Sequence, residues 1–129
     1  MIALDTNILV RYLTEDDPVQ SGLASELIDT RLSGANPGFV SIPVLCEMLW
    51  TLRSRYGRSQ HQLRAIAAEL LNSARIVVDE AAVVQLALAL PSAEVTDAII
   101  HEIGRARGCE GTLTLDQDFA RLEGVELLS

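Results

Sequence analysis

Lysine is missing from the chain: all ten basic residues are arginine. That absence excludes a P-loop lysine, a Schiff base and a lysine beside an acyl phosphate. The glycine fingerprints GxGxxG and GxxxxGK are missing as well, so no Rossmann or P-loop nucleotide site is marked. Cysteine is scarce. Cys46 and Cys109 form no CxxC pair and have no zinc-like spacing with His61 or His101, so they read as ordinary core thiols in a reducing compartment. Long hydrophobic runs are absent too, because charge or proline interrupts each one well short of a membrane span, and no basic leader opens the sequence. A soluble, cytoplasmic protein without a membrane partner is expected. Positive charge is outnumbered: ten arginines against eighteen acids leave a net charge of −8, the wrong sign for holding nucleic acid by bulk attraction. Any such binding must be local.

What is present suits one domain. The 129 residues, 49% of them hydrophobic, suffice for a proper core and are too few for two domains of usual size, so a single domain over 1–129 is expected. The chain is organised around its opening, Met-Ile-Ala-Leu-Asp-Thr-Asn-Ile-Leu. Ile2, Ala3 and Leu4 have no polar face, which predicts a short strand buried on both sides in the middle of a parallel sheet. Asp5 falls where that strand stops, and Ile8, Leu9, Val10, Tyr12 and Leu13 follow at helical spacing. A carboxylate at the carboxyl end of a sheet lies where open α/β folds bind ligands. The plainer reading is that Asp5 or Thr6 only caps the helix.

Further along, Asp17 and Pro18 suit the cap and first position of a second helix, which continues through Leu23, Leu27, Ile28 and Leu32. A turn from Gly34 to Gly38 leads to a brief strand at Phe39 and Val40, extending at most to Ser41. Helices are predicted over Ile42 to about Tyr56 and Ser59 to Ala74, punctuated by Gly57. Arg75-Ile-Val-Val-Asp79 is a strand, and a helix from about Glu80 to Leu90 is ended by Pro91. Ser92 or Glu94 begins a helix to Arg107 that Gly108 stops. Strands at Thr112–Leu115 and Val125–Leu128 flank a short helix that starts from Asp116. Strands alternating with helices argue for a parallel sheet with helices on both faces.

The acids can then be weighed together. Glu47 lies in Val44-Leu-Cys-Glu-Met-Leu-Trp50, a segment apolar nearly all round, so burial is expected to make it costly without a cation or an arginine such as Arg53 or Arg55. Asp97 occupies the first turn of its helix, where the helix dipole alone would favour it. Asp116 follows Thr112-Leu-Thr-Leu115 just as Asp5 follows Ile2-Ala-Leu4. If both strands are central neighbours, these ends lie about 5 Å apart. Two like charges at that distance repel by about 3 kcal/mol at an effective dielectric near 20. A cluster of four carboxylates therefore persists only through protonation or a shared cation. All-oxygen ligands select Mg²⁺ or Mn²⁺ over zinc, and four carboxylates balance up to two such ions. That inventory fits a two-metal hydrolase acting at phosphorus by in-line displacement.

With those residues in view the chain resembles the PIN-domain ribonucleases, and among them the toxins of the VapBC toxin–antitoxin type. The resemblance rests on Ile-Ala-Leu-Asp-Thr-Asn-Ile-Leu-Val-Arg-Tyr-Leu at the start, the Asp16-Asp17-Pro18 step, Ser41-Ile-Pro-Val-Leu-Cys-Glu47, Thr96-Asp97-Ala-Ile-Ile100 and Thr114-Leu-Asp-Gln-Asp-Phe119. These blocks fall in family order and cover nearly the whole chain. The resemblance implies a three-layer α/β/α sandwich with a mainly parallel central sheet. It also implies a metal-binding quartet of Asp5, Glu47, Asp97 and Asp116 holding one or two Mg²⁺ or Mn²⁺ ions. Asn7 and Thr114 would be close polar supports and Asp118 a candidate fifth acid, with Asp116 and Asp118 competing for the fourth place. By the same resemblance the activity is RNA phosphodiester hydrolysis, and the partners are a cognate antitoxin and a second copy in a homodimer. Thr96 departs from the alanine common before the third acid.

Arg53, Arg55 and Arg58 offer phosphates a local basic lip, or simply complement the end of their helix. His101, one turn past Asp97, reads as a partly buried polar residue with a hydrogen bond, and His61 as helix surface. Two other classes compete with the nuclease. A phosphoaspartate or receiver-type module would also place aspartate after the first strand, but Asn7 and the missing lysine count against it. A non-catalytic interaction module would bind no divalent ion at the quartet, which metal titration distinguishes.

Overall fold

Strands and helices alternate along the computed structural model, which describes residues 1–129, and every strand pairing is parallel. Two units can be distinguished, Met1–Asp79 and Glu80–Ser129.

In the first unit, β1 (Ile2–Ala3), β2 (Gly38–Val40) and β3 (Ile76–Val78) form a three-stranded sheet in the order β1-β2-β3. The expectation that the opening strand lies in the middle is therefore corrected: β2 is central, and β1 is a terminal strand with Ile2 38% exposed. The apolar run serves Leu4 instead, which is buried just beyond the strand against Gly38 and Leu32. A Cβ on Gly38 would lie 2.7 Å from Leu4 Cδ1 and 2.9 Å from Leu32 Cδ1, so only glycine lets both leucines close over β2.

Three of the four α-helices of this unit, all but the first, begin where a side chain supplies a cap. In α1 (Thr6–Thr14) the buried residues Leu9 and Val10 form the core face. The α2 helix (Pro18–Glu26) starts as read from the sequence, with Pro18 first and the Asp17 carboxylate accepting from Gln20 N at 3.1 Å. Beyond Glu26 the chain widens into a π-helical turn, Leu27–Arg31, closed by Leu32 N donating to Leu27 O at 2.9 Å. Ile28 and Leu32 are both buried. The α3 helix (Ile42–Tyr56) is capped by Ser41 and ends at Gly57, whose φ of 65° suits glycine. In α4 (Gln60–Asn72) Ser59 and Gln62 form a reciprocal capping box. Leu45, Met48, Leu49 and Leu52 of α3, all 1% exposed or less, supply the centre of the core.

The second unit contains α5 (Ala81–Leu88), α6 (Val95–Ala106) and a two-stranded parallel sheet of β4 (Thr112–Thr114) and β5 (Val125–Leu127), with a 3₁₀ turn at Phe119–Arg121 between the strands. Glu94, not Ser92, is the residue at the N-cap of α6, and Gly108 with φ 84° follows its end. Val84, Ala87, Val95, Ala98 and Ile99 pack α5 against α6. β1 and β4 belong to different ladders, so the neighbourhood expected from a shared ladder for the ends of these two strands is not supplied by strand pairing. No helix is long and apolar enough to cross a membrane.

Candidate functional site

In the first unit, Asp5 stands at the N-cap position of α1 in extended backbone, with φ −85° and ψ 160°. Its carboxylate makes no capping hydrogen bond, unlike the Asp17 carboxylate and the Ser41 and Ser59 hydroxyls, and the residue is exposed. Capping therefore does not account for the acid. Asn7 is exposed in the first turn of the same helix, whereas Thr6 is buried.

Glu47 corrects the burial argument. Leu45, Met48, Leu49 and Leu52 lie on one stripe of α3, and at 100° per residue Glu47 falls opposite that stripe and is exposed. The segment looked apolar all round because Trp50, 57% exposed, shares the outer face. No desolvation cost forces a partner on Glu47. Arg53 and Arg55 are exposed in the last turn of α3 and Arg58 follows Gly57, where the helix carboxyl end favours cations.

Asp16, read only as part of a separator, is a hub. Its carboxylate accepts from Tyr56 Oη, from Arg11 Nη1 at 2.7 Å and from Thr14 Oγ1 at 3.1 Å, while Arg11 Nε donates to Gln20. The Tyr56 hydroxyl first, then Arg11 and Thr14, hold the Asp16 carboxyl down at about 2. The network ties the end of α3 to the α1–α2 turn. Its sequence signal was an acid five residues after Arg11, but Tyr56 lies 40 residues further on. Burial pushes the Cys46 thiol up, which makes it a poor nucleophile, whereas Cys109 is exposed and corrects the expectation of two core thiols.

In the second unit, Asp97 is half-buried in the first turn of α6. Asp116 follows β4 by one residue, and its Oδ1 accepts from the amides of Asp118 at 2.8 Å and Phe119 at 3.2 Å. Those bonds open the 3₁₀ turn and fix the carboxylate plane, with Oδ2 directed to no protein donor. Thr114 Oγ1 accepts from the Asp116 amide at 3.1 Å, so it orients the backbone of the acid. Asp118 is different: it is 85% exposed and pairs with Arg121 at 3.4 Å. His101 is buried, as a hydrogen-bonded polar residue, with Nδ1 2.7 Å from Thr112 Oγ1. Glu102, which sequence reasoning passed over, is only 3% exposed and pairs with Arg105 at 3.2 Å. Its place three residues after Ile99, on the stripe of Val95 and Ala98, was the available signal.

Neither unit gathers three His, Cys, Asp or Glu side chains into a set able to hold a metal ion. The first contributes Asp5 and Glu47 to the expected quartet, the second Asp97 and Asp116. A family model described as PIN domain matches residues 2–125, a span that contains all four acids. The chain belongs to the PIN-domain family. PIN domains are generally nucleases that use divalent metal ions, and the alternating, parallel-stranded organisation of this PIN domain is consistent with the family's three-layer α/β/α fold. Among curated proteins none matches it.

Proposed function

We propose that this PIN domain is a Mg²⁺- or Mn²⁺-dependent endoribonuclease that acts as the toxin of a toxin–antitoxin pair in the cytoplasm, with residues 1–129 working as a single domain. The observation that carries the reading is the family match over residues 2–125, which favours a nuclease over a regulatory or interaction module. Asp5, Glu47, Asp97 and Asp116 are its metal-binding acids. Their donor set is entirely carboxylate oxygen, which suits a hard divalent ion. Two local features support the fit: Asp5 is exposed without capping, and Asp116 is held by one oxygen with the other unengaged.

When bound, one or two such ions would activate water and stabilise the charge that develops at phosphorus. The chain's own residues do the rest. Asp116, held by the amides of Asp118 and Phe119, presents one oxygen in a fixed direction, and Thr114 steadies its backbone. Asn7 is a polar support beside Asp5, and Asp118 is assigned to its Arg121 pair and not to metal. Arg53, Arg55 and Arg58 supply local positive charge for RNA phosphates in a chain whose total is −8. Preference for RNA over DNA comes from contacts to the 2′-hydroxyl. A cognate antitoxin neutralises the enzyme, which works as a homodimer.

The test pairs two readouts. RNA cleavage is measured with and without chelator for the wild type and Asp5→Asn, and Mn²⁺ binding is followed by calorimetry on the same proteins. Loss of cleavage in both treatments, with weakened Mn²⁺ binding in the variant, is expected. Cleavage that survives chelation, or Mn²⁺ affinity unchanged in Asp5→Asn, refutes the assignment. Co-purification of a co-expressed neighbouring small protein, and its suppression of cleavage, tests the toxin role separately.

A further inference from the structure

The basic end of α3 closes on itself. Gly57 N donates to Arg53 O at 3.2 Å and Arg58 N to Leu52 O at 3.1 Å, so Arg53, Arg55 and Arg58 belong to one backbone turn. Leu52 and Tyr56, one helical turn apart, lie on the same side of the helix, and Arg53 and Arg55 flank that side. Two anchors hold the turn. Leu52, with no exposed surface, fixes it to the core, and the Tyr56 hydroxyl, donating to Asp16 Oδ2 40 residues away, ties it to the α1–α2 corner. Helix ends are where backbone order is lost first, and an arginine ordered only on binding loses part of its contact energy to that ordering.

Asp16 is a fixed point for such a tether. Its other oxygen, Oδ1, accepts from Arg11 Nη1 at 2.7 Å and Thr14 Oγ1 at 3.1 Å, and Arg11 Nε donates to Gln20 of α2 at 2.8 Å. Both carboxylate oxygens are therefore engaged, one by the end of α1 and the other by the end of α3. The acid also stands in the run Glu15-Asp16-Asp17, in a chain whose net charge is −8. Bulk electrostatics alone makes it a repellent of phosphate. Its hydrogen bonding gives it the opposite effect.

We infer that Asp16 and Tyr56 are positioning residues for RNA: their hydrogen bond holds the turn carrying Arg53, Arg55 and Arg58 ready for phosphates. Neither residue touches the nucleic acid. The consequence runs against simple charge counting, since deleting the negative charge of Asp16 weakens the binding of a polyanion to an acidic protein. The inference rests on the reading of these arginines as the RNA-contacting lip and adds what keeps the lip in place.

The test reads binding apart from cleavage. The full chain is titrated into fluorescein-labelled poly(U) RNA in EDTA, and anisotropy is followed over a series of salt concentrations. Tyr56→Phe keeps the ring and is expected to weaken binding about three- to tenfold. The slope of log affinity against log salt should not change, because every arginine remains. Arg55→Gln removes a phosphate contact itself, and its slope should fall by about 0.7. Asp16→Ala should weaken binding as Tyr56→Phe does, and the double variant no further, since both break one bond. Tyr12→Phe breaks another exposed tyrosine–carboxylate pair, Tyr12 with Asp29, and should leave affinity unchanged. With Mn²⁺ present, Tyr56→Phe should raise KM for RNA and leave kcat as it is. Wild-type affinity in Tyr56→Phe, tighter binding by Asp16→Ala, or an equal loss in Tyr12→Phe overturns the inference. Unchanged affinity and slope in Arg55→Gln overturns the lip as well. The nuclease reading fails separately, in the Asp5→Asn assays, which this titration in chelator does not share.

Discussion

Replacing Gly38 by alanine adds one methyl group at the most crowded point of the first sheet. The new carbon would stand 2.7 Å from Leu4 Cδ1, 3.1 Å from Leu4 Cγ and 2.9 Å from Leu32 Cδ1. Carbon atoms rest about 3.5–4.0 Å apart, so each leucine must retreat by roughly an ångström. Neither has room, because Leu4 is 5% and Leu32 2% exposed. Gly38 is not among the glycines with positive φ, so the cost is steric and not conformational. Overpacking of this kind costs about 1–3 kcal/mol, and the double clash places Gly38→Ala at about 2. Urea unfolding followed by circular dichroism and by the fluorescence of Trp50, the sole tryptophan and a residue of the same unit, reads the loss. A double-mutant cycle isolates the cause. Leu32→Ala alone costs about 2–5 kcal/mol. It also removes one clashing methyl, so the double variant should lose less than the sum by about 1 kcal/mol. Leu4 directly precedes Asp5, and cleavage by the proposed nuclease should fall with the displaced strand end. A neutral Gly38→Ala, or strict additivity with Leu32→Ala, would refute the reasoning.

Four further expectations follow from other contacts. Tyr56→Phe removes the largest influence holding the Asp16 carboxyl at about 2, below its ordinary 3.8. A depressed carboxyl stabilises the fold above its unfolded value and loses that contribution as pH falls towards its folded one. The variant's Asp16 should therefore titrate closer to 3.8 by carboxyl NMR, and an unmoved midpoint would remove the tyrosine from the account. Ser59→Ala deletes the capping box of α4 and should cost about 1 kcal/mol in denaturant unfolding, with no loss meaning that α4 needs no cap. Asp116→Asn retains an Oδ1 acceptor for the two amides and should fold normally while losing cleavage by about 100-fold or more. Asp118→Asn should stay within about threefold of wild type, since it breaks only an exposed pair, and the reverse ranking would transfer the metal role to Asp118.

What could be read in advance divides along physical lines. Helix starts and stops were legible at Asp17-Pro18, Ser59, Gly57 and Gly108 because caps and left-handed turns are decided by residues within one turn of each other. The order of strands was not, since three apolar residues look alike at the centre or the end of a sheet. The π-helical turn at Leu27–Arg31 also left no mark, as its hydrophobic spacing passes for an ordinary helix. In the site, the types and chain positions of the acids were readable, but their surroundings were not. Glu47 was expected to be buried and is exposed because Trp50 disguises the outer face of α3, whereas Glu102 is buried in an α6 stripe that was otherwise apolar. Asp16 gathers partners from Arg11 to Tyr56, a convergence that only the folded chain reveals.

No strand in this protein is longer than three residues. A ladder so brief has too few amides to protect itself, and its integrity is inherited from the helices lying over it. In deuterated solvent the last amides of the first unit to exchange should accordingly be those of the inner face of α3, around Met48, Leu49 and Leu52. The sheet amides should be released together with that face. The sheet is then a thin spacer that aims the chain ends, and the long helix is the keel.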